Sequence, residues 1–408
     1  MKKVLQINSC VALYSTGQLV ENIGKVALSN GWLSYIAYGR AAKTSKSQII
    51  RIGKNFDVYF HAIKSKIFDA HGLGSKRATK ALIAKIKKIK PDIIQLHNIH
   101  GYYLNYEIFF NFLNEANIPI VWSLHDCWAF TGHCSHFALI ECNKWETECN
   151  NCPLTSSYPS SIIDKSTNNY ILKKKLFTSN KNITIVSASE WLGGMIRKSY
   201  LSKYPLRIIP NGIDLEIFYP RKNTIDVIKT YGLEKKFVIM GVASSWGAAK
   251  GLYDYYKLND LLTDEYVIVL VGLTKKHCQN LPKGIIGISL THSIDELAQL
   301  YSAADVITSL SYLEAFGLTP IEGFACGTPA IVYNATSTPE LINPKIGLIV
   351  EPGNVTQVFE AIKTIRGNGK NFYSKNCRKQ AEIFYNKNDR FGDYLNLYEE
   401  ILINLKTK

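Results

Sequence analysis

Short runs of aliphatic and β-branched residues alternate along this chain with segments whose apolar positions recur at helical spacing, the pattern of parallel strands joined by crossover helices. The first run predicts a strand over 4–7, followed by a polar loop from Asn8 to Gly17 and a helix over 18–28. Further strands are predicted over 32–37, 93–96, 120–124, 183–186 and 206–209, where Pro210-Asn211-Gly212 reads as a turn. Beyond the charged stretch 221–236 the alternation restarts, with strands over 237–242, 266–271, 285–288, 306–309 and 330–333. Two helix starts carry capping boxes, Ser187-Ala-Ser-Glu190 and Ser293-Ile-Asp-Glu296, the second opening a helix over 294–302. The implied fold class is α/β: two Rossmann-like, doubly wound domains facing across a cleft, with ligands at the carboxyl ends of the strands.

A chain of 408 residues, 46% of them hydrophobic, fills two cores, since single cores rarely grow beyond about 250–300 residues. The expected domains are 1–215, with a cysteine-rich insert at about 127–153, and 216–387, followed by a helical tail over 388–408. The opening Met1-Lys-Lys-Val-Leu-Gln-Ile-Asn8 runs straight into a strand, and no apolar run reaches the ~18–20 residues of a membrane span. The expected location is therefore the cytoplasm.

Chemistry enters with Glu314-Ala-Phe-Gly-Leu-Thr-Pro-Ile-Glu322, two carboxylates eight positions apart. A helix read over 317–325 puts Glu314 in the loop before it and Glu322 within it. On their own, two glutamates at this spacing are ordinary solvated charges. The unpaired backbone N–H groups of the helix start, at Phe316, Gly317, Leu318 and Thr319, favour an anion such as phosphate, and carboxylates accept hydrogen bonds from sugar hydroxyls. Phosphate beside polyol points to a nucleotide sugar.

In chain order the sequence also carries Ser15-Thr16-Gly17, His125-Asp126 after a strand, Pro210-Asn-Gly-Ile-Asp214 and Lys250-Gly251. Together with the glutamate pair this set resembles glycosyltransferase family 4, retaining enzymes of GT-B fold, over nearly the whole chain. The resemblance implies a nucleoside-diphosphate sugar donor whose diphosphate is gripped by Lys250 and approached by the backbone at Gly17. It implies that Glu314 and His125 hold hydroxyls of the donor sugar and that Glu322 holds the nucleotide ribose. His97, Asn98, His100 and Asp126, at strand ends, would line the acceptor side, and no metal is implied in catalysis. One departure stands out: the family commonly has an arginine about six positions before the lysine, and here that position is Ser244.

The formal net charge of +15, from 48 Lys and Arg against 33 Asp and Glu, points to an anionic partner. The densest basic segment, 76–90, spaces Leu82, Ile83, Ile86 and Ile89 at helical intervals, giving an amphipathic helix with a cationic outer face. Such a helix is either a solvated surface element or a dock on an anionic inner-membrane surface, where each basic residue is worth about 1 kcal/mol; the latter makes the protein peripheral on the inner face of the plasma membrane. No nucleic-acid motif accompanies it, so nucleic acid is not an expected partner.

Five of nine cysteines fall between Cys127 and Cys152, four of them as Cys134-x7-Cys142-x6-Cys149-x2-Cys152 beside His133 and His136. In a reducing compartment such a cluster suits a structural zinc, with free thiols and disulfides as the alternatives. The insert, with Trp128, Phe130-Thr-Gly132 and Cys152-Pro153, resembles that of family members from bacterial surface-polysaccharide pathways (capsule, O-antigen, exopolysaccharide, lipopolysaccharide). The function implied is transfer of a hexosyl unit to a lipid-linked or saccharide acceptor. A nucleotide-sugar 2-epimerase and a non-catalytic, zinc-stapled binder of anionic polymers are the rival readings.

Overall fold

In the computed structural model, which describes residues 1–406, the chain divides into two compact units, Met1–Ile209 with Phe391–Lys408, and Pro210–Arg390. The last two positions of the tail expected over 388–408 lie outside the described residues.

Unit 1 contains β1 (Lys3–Val11), α1 (Tyr14–Ser29), β2 (Leu33–Ala42), β3 (Gln48–Arg51), α2 (Asn55–Phe68), α3 (Lys76–Ile89), β4 (Ile93–Leu96), α4 (Tyr106–Ala116), β5 (Ile120–Leu124), α5 (Ser166–Phe177), β6 (Ile183–Ser187), α6 (Glu190–Lys198) and β7 (Leu206–Ile208). Its strands form one parallel sheet in the order β3-β2-β1-β4-β5-β6-β7. β4 and β5 are buried at every position, as expected where helices cover both faces of a parallel sheet. The strand order reverses between β1 and β4, which makes their carboxyl ends the ligand crevice of this sheet.

The polar loop expected over 8–17 is absent. β1 continues to Val11, pairing Cys10 with Ala41 and Val11 with Ala42 after a register shift past Asn8. Asn8 is tolerated in the buried strand because its amide donates to the Cys10 carbonyl at 2.8 Å and its oxygen accepts from the Asn98 N–H at 3.3 Å. Only Ala12 and Leu13 separate β1 from α1, and the turn closes through Ala12 N–H to the Gly17 carbonyl at 2.9 Å. Gly17 is thus a buried position inside α1 and not part of a loop.

Unit 2 contains α7 (Ile225–Thr230), β8 (Phe237–Val242), α8 (Leu252–Asn259), β9 (Tyr266–Val271), α9 (Lys275–Cys278), β10 (Ile285–Ile288), α10 (Ile294–Ala303), β11 (Val306–Ser309), α11 (Leu318–Ala325), β12 (Ala330–Tyr333), β13 (Gly347–Val350), α12 (Val355–Asn368) and α13 (Lys370–Phe384). The sheet order is β10-β9-β8-β11-β12-β13, again all parallel, with the reversal between β8 and β11. Ser293 caps α10 by accepting from the Glu296 N–H at 3.0 Å. At the other expected box the cap is Ser189, accepting from Leu192 N–H at 3.3 Å, two residues later than the sequence suggests.

A last helix, α14 (Lys387–Lys406), spaces Phe391, Tyr394, Leu397 and Tyr398 along one side. These four join Val4, Ile23, Trp32, Ile93 and Val121 in one core of unit 1. Each such buried side chain contributes about 1.5–3 kcal/mol, enough to fix the tail on the sheet. α3 likewise spends its apolar side, Leu82 and Ile86, on the core, leaving its lysines outward.

Candidate functional site

In unit 2 the loops leaving β8 and β11 at the switch point carry Lys250 and Glu314. The first loop turns at Gly251, whose φ is 67° and whose Cβ, had it one, would lie 2.1 Å from the Leu310 carbonyl oxygen. Glycine is therefore required for the two loops to meet. The Tyr312 N–H donates to the Ala249 carbonyl at 3.0 Å, tying them a second time. So held, the Lys250 ammonium donates to the Glu314 carboxylate and, at 3.4 Å, to the Leu313 carbonyl. The Glu314 backbone is fixed from behind, its N–H donating to Thr336 Oγ1 and its carbonyl accepting from Ser337 Oγ, both at 2.9 Å. Both charged side chains keep about a quarter of their surface exposed, 28% and 22%, so a ligand can reach the pair.

Three residues after Glu314, Gly317 takes φ 92° and opens α11, packed where a Cβ would come within 3.1 Å of Leu341 and 3.2 Å of Thr338. The N–H groups at Leu318 and Thr319 have no partner within the helix, and Pro320 has no N–H to offer. Phe316 and Gly317 are buried, while Leu318 and Thr319 are partly exposed. Glu322, one turn on, accepts from the Tyr301 hydroxyl at 2.7 Å through Oε2. Burial raises its pKa to about 7, and the Tyr301 bond limits the rise. Tyr301 sits on α10, its carbonyl accepting from Thr328 Oγ1 at 2.6 Å. Nothing in the local sequence flags Tyr301, because its partner lies 21 positions away. Ser244 is exposed in the loop after β8.

In unit 1, β4 and β5 deliver His97 and His125 side by side, rings stacked at 5.4 Å with 7° between planes. Gln6 donates its amide to the Val20 carbonyl at 2.9 Å, which turns Gln6 Oε1 toward His97 Nε2 at 3.3 Å. His97 therefore carries its proton on Nε2, and its Nδ1, at 3.1 Å, accepts from His125 Nε2. That bond leaves Nδ1 of His125 as an acceptor. Burial lowers the His125 pKa to about 4 against the opposing pull of Asp126, and burial together with His125 holds His97 well below the usual histidine range. The pair is neutral at pH 7 and suits a hydroxyl donor.

Asp126 is spent otherwise: it accepts from His100 Nε2 and from the Trp128 N–H, each at 2.9 Å. Burial opposes its ionisation, but His100 and the amide outweigh burial and hold the carboxyl well below the usual carboxylate range. Asp126 thus positions His100. A cavity of about 10 Å³ is lined by His97, Asn98, His100, His125, Asp126 and Trp128, gathering every strand-end residue expected from the sequence of this unit. Gln6, which sets the tautomer, went unpredicted.

The cysteine insert surrounds a second cavity, of about 20 Å³, lined by Cys134, Cys142, Cys149, Cys152 and His133. All four thiols are free. Among the described residues no three His, Cys, Asp or Glu side chains are drawn together closely enough to hold a metal ion. The donor set nevertheless has the chemistry of a zinc site. His133 Nδ1 pairs with Asp69 at 2.6 Å while its buried Nε2 has no partner, the orientation an aspartate imposes on a ligating histidine. The buried ammonium of Lys173 donates to the Trp128 and Thr131 carbonyls at 2.8 and 3.1 Å, and the thiols of Cys134 and Cys149 interact with its charge.

Two Rossmann-like units, each a wholly parallel sheet with its helices, make up the GT-B fold of glycosyltransferases. Sucrose-phosphate synthase from Thermosynechococcus elongatus superposes over 99% of this chain and 100% of its own with a TM-score of 0.72 at 17% identity. Family models match twice: Glycosyltransferase Family 4 over residues 36–217 and Glycosyl transferases group 1 over residues 221–383. The chain belongs to this family and is a glycosyltransferase. WcaC of Escherichia coli strain K12, a glycosyl transferase provisionally assigned to colanic acid biosynthesis, is 22% identical over 98% of this chain and 100% of its own length. The Escherichia coli UDP-Gal:alpha-D-GlcNAc-diphosphoundecaprenol alpha-1,3-galactosyltransferase is 28% identical over 51% of this chain and 58% of its own.

Proposed function

We propose that this glycosyltransferase moves a hexosyl unit, with retention and without a catalytic metal, from a nucleoside-diphosphate sugar to a lipid-linked or saccharide acceptor in bacterial surface-polysaccharide synthesis. The observation that carries the reading is the Lys250–Glu314 pair at the β8/β11 switch point, next to the open N-terminus of α11. Breaking the anomeric C–O bond leaves charge on the diphosphate, and preorganised donors aimed at such charge are each worth roughly 3–4 kcal/mol. The Lys250 ammonium and the amides of Leu318 and Thr319 supply them, and they take the load that Ser244 does not. Glu314 accepts from hydroxyls of the donor sugar. Glu322 accepts from the ribose through the oxygen that Tyr301 leaves open, and His125 Nδ1 accepts from a sugar hydroxyl. The relatives support a pathway: one is assigned to colanic acid, and the other's name gives a UDP-sugar donor and a diphosphoundecaprenol-linked acceptor.

The test is a panel of nucleoside-diphosphate sugars assayed with and without an undecaprenyl-diphosphate-linked acceptor in the presence of a chelator, the product's anomeric configuration being read by NMR. Acceptor-dependent release with an unchanged anomer is the expected result. Sugar conversion without acceptor would mark an epimerase, and an inverted anomer would overturn retention.

The insert adds a structural role. Four thiols on one cavity, with a buried lysine beside them, support one zinc ion bound by Cys134, Cys142, Cys149 and Cys152, which would draw the thiols inward as it binds.

A further inference from the structure

We infer that α2 and the neighbouring loop 158–163 form the surface by which this protein docks on an anionic lipid bilayer. α2 is turned inside out: it buries His61 and Ser65 and exposes Phe56, Tyr59, Phe60, Ile63, Ile67 and Phe68. Phe56 is 69% exposed and Phe60 51%, their rings 4.2 Å apart. An amphipathic helix of a soluble domain normally faces the other way.

The inward side is fixed by polar bonds. His61 Nε2 accepts from the Gly72 and Gly74 N–H groups at 3.1 and 3.0 Å, and its Nδ1 lies 3.0 Å from Ser75 Oγ, at the foot of α3. A Cβ at Gly74 would fall 2.4 Å from the His61 ring, so the turn is moulded to this histidine. Rolling the helix over would strip His61 of three partners, and the apolar side therefore stays outward.

The patch continues past the helix end. The Ile162 N–H donates to the Lys66 carbonyl at 2.7 Å, and Ile162, 75% exposed, and Ile163 extend the apolar surface. Contiguous apolar surface of this kind marks an interaction site.

Charge selects the occupant. α2 and its cap carry Lys54, Lys64 and Lys66, and the one carboxylate there, Asp57, is engaged by the Lys54 N–H at 2.7 Å. Lys165 lies over the Phe68 ring at 5.9 Å, and α3, which begins at the turn that holds His61, exposes Lys76, Arg77, Lys80, Lys85, Lys87 and Lys88. Aromatic and aliphatic groups rimmed by lysines match the interface of an anionic leaflet, where rings sit at headgroup level and lysines reach the phosphates. A 14-residue helix is about 21 Å long and lies in the plane of that interface. The docking role expected of α3 is thereby reassigned: its apolar side is in the core, and it supplies charge alone.

Full-length protein is tested by flotation with vesicles of phosphatidylcholine alone or mixed with phosphatidylglycerol. Binding to the anionic vesicles, weakened by salt, is expected. Phe56→Ser with Phe60→Ser and, separately, Lys66→Glu with Lys165→Glu should each lower the partition coefficient about tenfold or more. Circular dichroism and nucleotide binding, together with transfer to a soluble acceptor, should stay at the parent's level, which separates this test from that of the transferase reading. Equal binding to both vesicle types, or variants that float like the parent, would overturn the inference. So would a dimer in solution that the Phe56/Phe60 variant dissolves, since the patch would then be an interface between copies.

Discussion

Tyr301→Phe isolates the chemistry of Glu322 without touching a ligand. The hydroxyl donates to Glu322 Oε2 at 2.7 Å and favours the ionised carboxylate, whose pKa burial has already raised to about 7. Hydrogen bonds to charged groups are worth about 1.5–3 kcal/mol. At 1.36 kcal/mol per pKa unit, their loss moves Glu322 up by about one to two units, to roughly 8–9. If ribose binding needs the carboxylate, about three quarters of the parent but only about a tenth of the variant is competent at pH 7.5. The affinity gap for the preferred nucleoside diphosphate is then about eightfold at pH 7.5 and closes to under twofold by pH 9. Isothermal titration calorimetry of both proteins from pH 6.5 to 9 reads this ratio, in which any titration of the nucleotide itself cancels. A gap that stays constant with pH would mean that Tyr301 matters through packing, and that Glu322 does not grip the ligand as a carboxylate.

Glu314→Gln should lower kcat at least tenfold with little change in nucleotide affinity, whereas Lys250→Ala should nearly abolish nucleoside-diphosphate binding; parent-like binding by the lysine variant would put the donor site elsewhere. Protein purified without chelator should carry one zinc per chain by metal analysis, lost when Cys149 and Cys152 become serine; stoichiometric zinc in that variant would refute the site. Folding stability should fall on acidification. The unfolded state takes up the His125 proton near pH 6.5 while the folded state waits until about 4, so stability is lost as pH drops between those values, by about 2 kcal/mol at pH 5. Denaturant titrations at pH 7 and 5 measure the loss, which should be smaller in His125→Asn.

What the sequence made legible follows from where the strands sit. β8 to β12 read off residue by residue because each is a short run led by β-branched and aliphatic residues, unbroken where the strand is covered on both faces, as in β9. β3 was missed because it is a polar edge strand, exposed along most of its length, and β13 because it is four residues opening on a glycine. The extension of β1 past Asn8 was hidden by a polar residue whose partners, the Cys10 carbonyl and the Asn98 N–H, exist only in the fold. The same holds at the sites. Glu314, Glu322, His97 and His125 stand in local motifs, but Tyr301 and Gln6, which tune them, act across 21 and 91 positions. α2 is apolar on several sides, so only the bonds of His61 to Gly72 and Gly74 decide which side meets solvent.

Glu314 and Glu322 end in opposite environments, and the fold makes them so. Glu314 leaves a loop pinned by Gly251, Thr336 and Ser337 and meets a lysine, so it presents a carboxylate whose negative charge is already matched before any ligand arrives. Glu322, half-buried inside α11, accepts from the Tyr301 phenol, and burial takes its pKa to about 7 against the opposing pull of that bond. If Glu322 receives the ribose hydroxyls as proposed, each hydrogen bond they donate lowers its pKa. On that proposed role, nucleotide binding releases a proton from Glu322. An eight-residue spacing thus separates two environments because α11 begins between them: the carboxylate before the helix start meets the Lys250 cation, and the one inside the helix meets the Tyr301 hydroxyl.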